Sequence, residues 1–216
     1  KKNNKISKNV TNNKKTLAVR FPKHVLTKKL LQKLNYPLAA PSANISTRIS
    51  PVTKEDVIEE FGKKIKFVLD GGVSKIGLES TIISLINKPQ ILRLGGLEVS
   101  KINKVLKTEL KFNRKNKKII VPGQGKVHYS PGIPIRLNVK KPKINEAFML
   151  IKKRKLSDKN YYYLSKRKDL KEAAKNLYKT LRMIKKKKFT SIAVEKIPSM
   201  GFGEVINDRL IRASKF

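Results

Sequence analysis

Leu170, Ala173, Ala174, Leu177, Leu181 and Ile184 recur three and four residues apart through one stretch of the chain. That spacing places them on one face of a long helix, and such a face must be buried against a second layer. Short apolar runs flank it: 135–139, 147–151 and 161–164 before, 189–194 after. Each has the length and side chains of a strand. Another helix is predicted after Gly201-Phe202-Gly203, carrying Asn207, Asp208, Arg209 and Arg212. Strands and helices alternating in this way build a sheet covered by helices, so residues 135–216 read as a small Rossmann-like layer. Gly201-Phe202-Gly203 is not a dinucleotide fingerprint, because the third glycine is absent. Asp208 and Arg212 stand at i and i+4 and read as a helix-surface ion pair.

Upstream, the pattern is mixed. Lys1 to Lys15 is polar and unpatterned and is expected to fray. Residues 16–21 alternate like a strand, and Val25, Leu26, Leu30, Leu31 and Leu34 mark a helix over 22–34, with Pro22 suited to its first turn. His24 near its start reads as a surface or capping residue. Thr53 and Asp56 form a capping pair for a helix that carries Val57, Ile58 and Phe61 and ends at Gly62. Residues 65–69, 81–86 and 91–94 read as strands, the last two joined by the hairpin loop 87–90, and 97–106 reads as a helix. The predicted fold class is therefore α/β with a mixed sheet.

With 216 residues and 39% apolar content the chain is large enough for real cores, and it holds no cysteine. Disulfides and thiolate metal sites are thus excluded, and a reducing, cytoplasmic setting is expected. No apolar run is long enough to span a membrane. Two isolated histidines, His24 and His128, make no metal-ligand pattern. The net charge of +37 invites a nucleic-acid reading, but the lysines are scattered over nearly every segment rather than gathered in a stripe. A composition bias therefore explains them better, with weak and salt-sensitive tRNA binding as the expected consequence.

Small polar residues gather at Ala39-Ala40-Pro41-Ser42-Ala43-Asn44-Ile45-Ser46-Thr47-Arg48-Ile49-Ser50-Pro51. In isolation this is a Ser/Pro-rich surface turn. A second motif, Asp70-Gly71-Gly72 followed by Gly77-Leu78-Glu79-Ser80-Thr81, comes after a predicted strand, and Arg93 ends a later one. Pro122-Gly123 and His128-Tyr129-Ser130-Pro131 lie in a Gly/Pro-rich stretch that reads as extended loop rather than core. Together and in this order these motifs resemble the threonylcarbamoyl-AMP synthase family in its two-domain form. In that family a YrdC-like catalytic domain is followed by a linker and a C-terminal Rossmann-like domain. The tail from Gly201 to Ala213 is similar to the end of the same family, and Thr47 stands where its motif usually has Gly.

The resemblance implies a partial YrdC-like domain at 1–107, a linker over the active site at 108–134 and the Rossmann-like domain at 135–216. It implies synthesis of L-threonylcarbamoyladenylate and pyrophosphate from L-threonine, bicarbonate and ATP, with Mg²⁺ accompanying the ATP. Other proteins then transfer the threonylcarbamoyl group to adenosine 37 of tRNAs. Thr16, Ser42, Ser50, Arg93 and Tyr129 would bind ATP; Arg20, Ala40 and Ser80 would bind threonine. No protein nucleophile or protein metal ligand is implied. The family's Thr-Tyr-Gly turn, Lys-x-Arg element and threonine-binding His do not precede Thr16, and the chain does not begin with Met. It therefore reads as a fragment, expected to be inactive alone. The alternatives are a basic RNA-binding module without catalysis and a carbamoyl-adenylate enzyme of hydrogenase maturation.

Overall fold

The structure is a computed structural model that describes residues 5–110, 112, 121–123, 125, 127–155 and 158–215. Lys1–Asn4 and much of the expected linker, 111, 113–120, 124 and 126, lie outside the described residues. The chain divides into two compact units, 1–42 and 43–216.

In the first unit, Asn9–Thr11 form one 3-10 turn within the stretch expected to fray, closed by Asn12 at φ 47°. Helix α1 spans Val25–Gln32, shorter at both ends than the predicted 22–34. His24 holds its N-cap position, with the Thr27 hydroxyl 3.4 Å from its ring. Residues 16–21 form no strand among the described residues, and Val19 and Phe21 are exposed. A strand needs a neighbour to exchange hydrogen bonds with, and alternation alone does not supply one.

The second unit opens with helix α2, Lys54–Phe61. Its capping box is the predicted one: the Asp56 amide donates to Thr53 Oγ1 at 3.2 Å, and Asp56 Oδ2 accepts from the amides of Thr53 (3.2 Å) and Val52 (2.8 Å). Gly62 ends it at φ 52°. The predicted strand at 65–69 does not form. Strands β1 (Ile82–Ser84) and β2 (Gln90–Arg93) make an antiparallel hairpin, with a register shift between Ile82 and Ile83. Helix α3 follows at Val99–Leu106.

Four parallel strands form the second sheet: β3 (Ile135–Arg136), β4 (Glu146–Lys152), β5 (Tyr161–Ser165) and β6 (Ser191–Val194). Their order is β3-β6-β4-β5, so β4 is paired on both edges. Helix α4 (Leu170–Lys185) carries the chain from β5 to β6, and α5 (Phe202–Ala213) follows. The Asp169 side chain caps α4 by accepting from the Glu172 amide at 2.7 Å. Leu177, Leu181 and Ile184 of α4 and Ile206 and Leu210 of α5 are buried with Ala147, Met149 and Ile151 of β4. At the start of β4 the buried Glu146 accepts two bonds from Arg136 (2.9 and 2.6 Å), one from the Lys143 amide and one from the Ser191 hydroxyl. The arrangement is α/β, with the predicted parallel layer in place. Among the described residues no helix is long and apolar enough to cross a membrane.

Candidate functional site

A buried carboxylate organises the second unit. Glu79 lies just before β1, and its two oxygens accept from three side chains on three different elements. Ser50 Oγ donates at 2.6 Å, the Tyr178 hydroxyl of α4 at 3.0 Å and Arg209 Nε of α5 at 3.1 Å. Burial alone would raise its pKa, but Arg209 and the Ser50 hydrogen bond outweigh burial and hold it below the ordinary value. Glu79 is therefore an anion and a poor base, which fits a role in holding its neighbours rather than in taking a proton.

Arg209 is 1% exposed and satisfied on every side. Its Nη2 donates to the Leu94 carbonyl at 2.6 Å and its Nη1 to Asp208 at 2.6 Å, while its guanidinium carbon lies 4.8 Å from the centre of the Tyr129 ring. Burial opposes its charge, but the Tyr178 and Tyr129 phenols and the Glu79 and Asp208 carboxylates raise its pKa above the ordinary value. Tyr129 is stacked on Tyr178 with centroids 5.6 Å apart, and the His128 ring tilts against it at 4.1 Å. Burial pushes the Tyr129 phenol up to about 12, so it is neutral. Its hydroxyl has no partner. Beside it Gly123 has φ 85°, and a Cβ there would come within 2.4 Å of that hydroxyl. Burial also lowers His128, leaving its imidazole neutral near neutrality.

Arg93 ties the next pieces together. Its Nε and Nη2 both donate to the Ser80 carbonyl (3.2 and 2.9 Å), and its Nη1 donates to the Pro122 carbonyl at 3.0 Å. A guanidinium has five N–H groups, so two remain for a ligand. The small-residue loop is pinned from two sides. Asn44 Nδ2 bonds the carbonyls of Ile45 (2.8 Å) and Arg48 (3.1 Å) and so shapes its own turn. The Ser130 amide donates to the Thr47 carbonyl at 2.9 Å. Thr47 has φ 71°, so the position where the related motif carries glycine does require the left-handed region. From α4, Arg182 donates to the carbonyls of Ile49 (2.7 Å) and Ser50 (3.4 Å) and pairs with Asp56 at 3.8 Å and Glu60 at 3.6 Å.

Ser50, Ser80, Arg93 and Tyr129 are thus gathered by one polar knot. Thr16, Arg20, Ala40 and Ser42 are exposed residues of the first unit. The expectation that His128-Tyr129 lies outside the core is corrected: Tyr129 is 1% exposed. Glycines and prolines reported the local backbone there, while the aromatic ring found a place beneath Arg209. Asp208 and Arg212 do form the i, i+4 pair, at 3.0 Å. Glu79, Tyr178, Arg182 and Arg209 were not singled out as site residues. A signal was present, because Arg209 sits beside Ile206 and Leu210 on the face of α5 that turns inward. An arginine on an apolar face implies a buried acceptor. Cavities of about 190 and 750 Å³ lie elsewhere in this unit, and the larger is rimmed by Lys75, Arg167, Lys168, Lys171 and Lys175.

Residues 97–215 match the family described as Threonylcarbamoyl-AMP synthase, C-terminal domain, and residues 1–95 match the one described as Telomere recombination. The chain belongs to the threonylcarbamoyl-AMP synthase family. It is 32% identical to the threonylcarbamoyl-AMP synthase of Pyrococcus abyssi, over 96% of this chain and 66% of that protein. With the Bacillus subtilis synthase it shares 31% identity, over 97% of this chain and 66% of the relative. The chain thus spans 66% of the length of these curated relatives. The crystal structure of P. abyssi Sua5 complexed with L-threonine superimposes with a TM-score of 0.86 at 30% identity, covering 99% of this chain and 68% of that one. A form of the same protein with a consecutive His–Tyr pair replaced by alanines gives a TM-score of 0.82 at 29% identity. Family membership and the α/β fold with a Sua5-type C-terminal domain agree with the resemblance seen in the motifs.

Proposed function

We propose that the chain provides the nucleotide and threonine machinery for making L-threonylcarbamoyladenylate from L-threonine, bicarbonate and ATP. The observation that carries this reading is the Glu79 knot, which draws Ser50, Ser80, Arg93 and Tyr129 together in a member of the synthase family. The chemistry is consistent with those groups. The threonine amine and bicarbonate give an N-carboxythreonine with loss of water. One of its carboxylate oxygens attacks the α-phosphate, and pyrophosphate leaves. No covalent bond to the protein is needed, so the side chains align the reactants and meet developing charge.

Arg93 suits a phosphate, with two N–H groups remaining and a guanidinium held by carbonyls on both sides. Ser80 would face threonine, and Tyr129 would cover the nucleotide. A relative solved with L-threonine supports the amino-acid substrate. A relative studied with its His–Tyr pair replaced supports attention to His128-Tyr129, this chain's own His–Tyr dipeptide. In this reading Thr16 and Ser42 also bind ATP, and Arg20 and Ala40 also bind threonine. Mg²⁺ would arrive on the triphosphate as part of the substrate. Residues 1–107 would serve as catalytic part, 108–134 as linker and 135–216 as the Rossmann-like part, in a cytoplasmic protein. The product would pass to proteins that transfer the threonylcarbamoyl group to tRNA, and the +37 charge would give weak, salt-sensitive tRNA contact.

Calorimetric titration of ATP and L-threonine into the chain tests the reading. Arg93→Ala should weaken ATP about tenfold or more while leaving threonine affinity within about twofold, from loss of charge-assisted bonds. ATP affinity untouched by Arg93→Ala, or pyrophosphate release that proceeds without threonine, would overturn it.

A further inference from the structure

Ser50 Oγ lies 2.6 Å from Glu79 Oε1. An ionised carboxylate can only accept, so the hydroxyl proton of Ser50 belongs to this bond. What Ser50 can still present outward is its lone pairs. The backbone on either side is fixed, because Arg182 grips the carbonyls of Ile49 and Ser50. Its side chain therefore cannot swing to offer the proton elsewhere without abandoning Glu79. A phosphate oxygen, itself an acceptor, is a poor partner for that position.

We infer that Ser50 receives a hydrogen bond from a donor group of the nucleotide, a ribose hydroxyl or the base amine, and that Arg209 fixes this polarity through Glu79. The inference rests on the nucleotide reading above and sharpens it, since a serine in such a loop could otherwise serve a phosphate. Arg209 acts at one remove. It holds a cation 3.1 Å from Glu79 in a buried setting, anchored by the Leu94 carbonyl and Asp208. Without that cation a buried carboxylate takes up a proton and becomes a donor, and Ser50 regains a free hydrogen. The Rossmann-like layer, which supplies Arg209, Tyr178 and Arg182, thus sets what the small-residue loop can recognise. Arg209 is a positioning residue.

Titrating ATP, 2′-deoxy-ATP, 3′-deoxy-ATP and inosine triphosphate into the 216-residue chain reads this directly. One analogue should bind about tenfold more weakly than ATP, the cost of leaving Ser50 without its donor. Loss with a deoxy sugar assigns the donor to the ribose; loss with inosine assigns it to the base. Ser50→Ala should abolish the gap. Glu79→Gln, which keeps the shape and offers an amide proton to Ser50, should shrink it as well. Arg209→Lys should preserve the gap and Arg209→Met remove it; where Arg209→Met fails to fold, Glu79→Gln carries the same question. A purely structural Arg209 would instead weaken all four nucleotides together. Equal binding of all four by the unaltered chain, or a gap that survives Ser50→Ala, overturns the inference while the nucleotide reading stands. Failure to bind any of them overturns both.

Discussion

Two stretches of the second unit have similar apolar side chains and opposite fates. In β4, Phe148 and Leu150 are wholly buried, and the strand is hydrogen-bonded on both edges. In residues 65–69, Phe67 is 89% exposed and Leu69 is 64% exposed, and no ladder forms. Both have the β-branched and aromatic content of a strand. The difference lies in what flanks them. The chain around β4 returns twice in parallel, through β5 and α4 to β6, and each return adds a partner. Residues 65–69 lie between α2 and a glycine turn, with no described strand alongside. Strand propensity is permission to pair, and pairing decides the outcome.

The widest test of that contrast is truncation on each side. Leu177→Ala removes a fully buried side chain from the face of α4 and should cost about 4 kcal/mol, from lost transfer energy plus a cavity. Phe67→Ala should change stability by less than about 0.5 kcal/mol, as for other exposed positions. Urea unfolding followed by circular dichroism measures both. Comparable losses would show that residues 65–69 are packed in solution and would break the comparison.

Next in size is Arg182, which belongs to the parallel layer but acts on the small-residue loop. Arg182→Met leaves Glu60 and Asp56 without their buried cation and frees the carbonyls of Ile49 and Ser50. The expected cost is about 3 kcal/mol, because a buried charge loses its partner. Hydrogen exchange should rise over residues 44–61 and stay slow in β4 and β6. Uniform acceleration everywhere would mean that Arg182 supports the whole unit rather than the loop.

Legibility follows the same division. Every element of the parallel layer was visible in the apolar periods, because each is buried by its neighbours and periodicity records burial. The capping box of α2 was visible too, since Thr53 and Asp56 close it within four residues. Strands at 16–21 and 65–69 were expected and are absent, because sequence alternation says nothing about who pairs. Of the knot, Ser50, Ser80, Arg93 and Tyr129 could be named from motifs. Glu79 to Tyr178 and to Arg209 are contacts across 99 and 130 residues, beyond the reach of any local pattern.

Acid should find the parallel layer through Glu146. The Arg136 side chain, hydrogen-bonded to it, holds its carboxyl down at about 2 from an ordinary 4.5. A depressed folded-state pKa contributes stability in full above 4.5, and that stability is lost as the pH falls toward 2. Because Arg136 is 38% exposed, solvent screening reduces the effect, to about 2 kcal/mol. Glu146→Gln should flatten the pH dependence of unfolding across this window. An unchanged acid slope would place the titrating group elsewhere, with Glu79, also held low, as the alternative.

The smallest expected effect comes from Thr47. Its φ of 71° lies in the left-handed region, where a β-branched side chain meets its own carbonyl. That strain costs about 1–2 kcal/mol. Glycine would remove it but also gives the unfolded chain more freedom, which costs about 0.5–1 kcal/mol. The Thr47 side chain is exposed and recorded in no hydrogen bond, so little else is at stake, while its carbonyl keeps the Ser130 amide in either variant. Thr47→Gly should therefore stabilise the second unit by about 0.5 kcal/mol. Thr47→Ala, which keeps a Cβ at the same φ, should gain less. Thermal unfolding of the two variants side by side separates the terms. A Thr47→Gly protein less stable than Thr47→Ala would show that chain entropy outweighs strain here, and that the loop tolerates threonine at little cost.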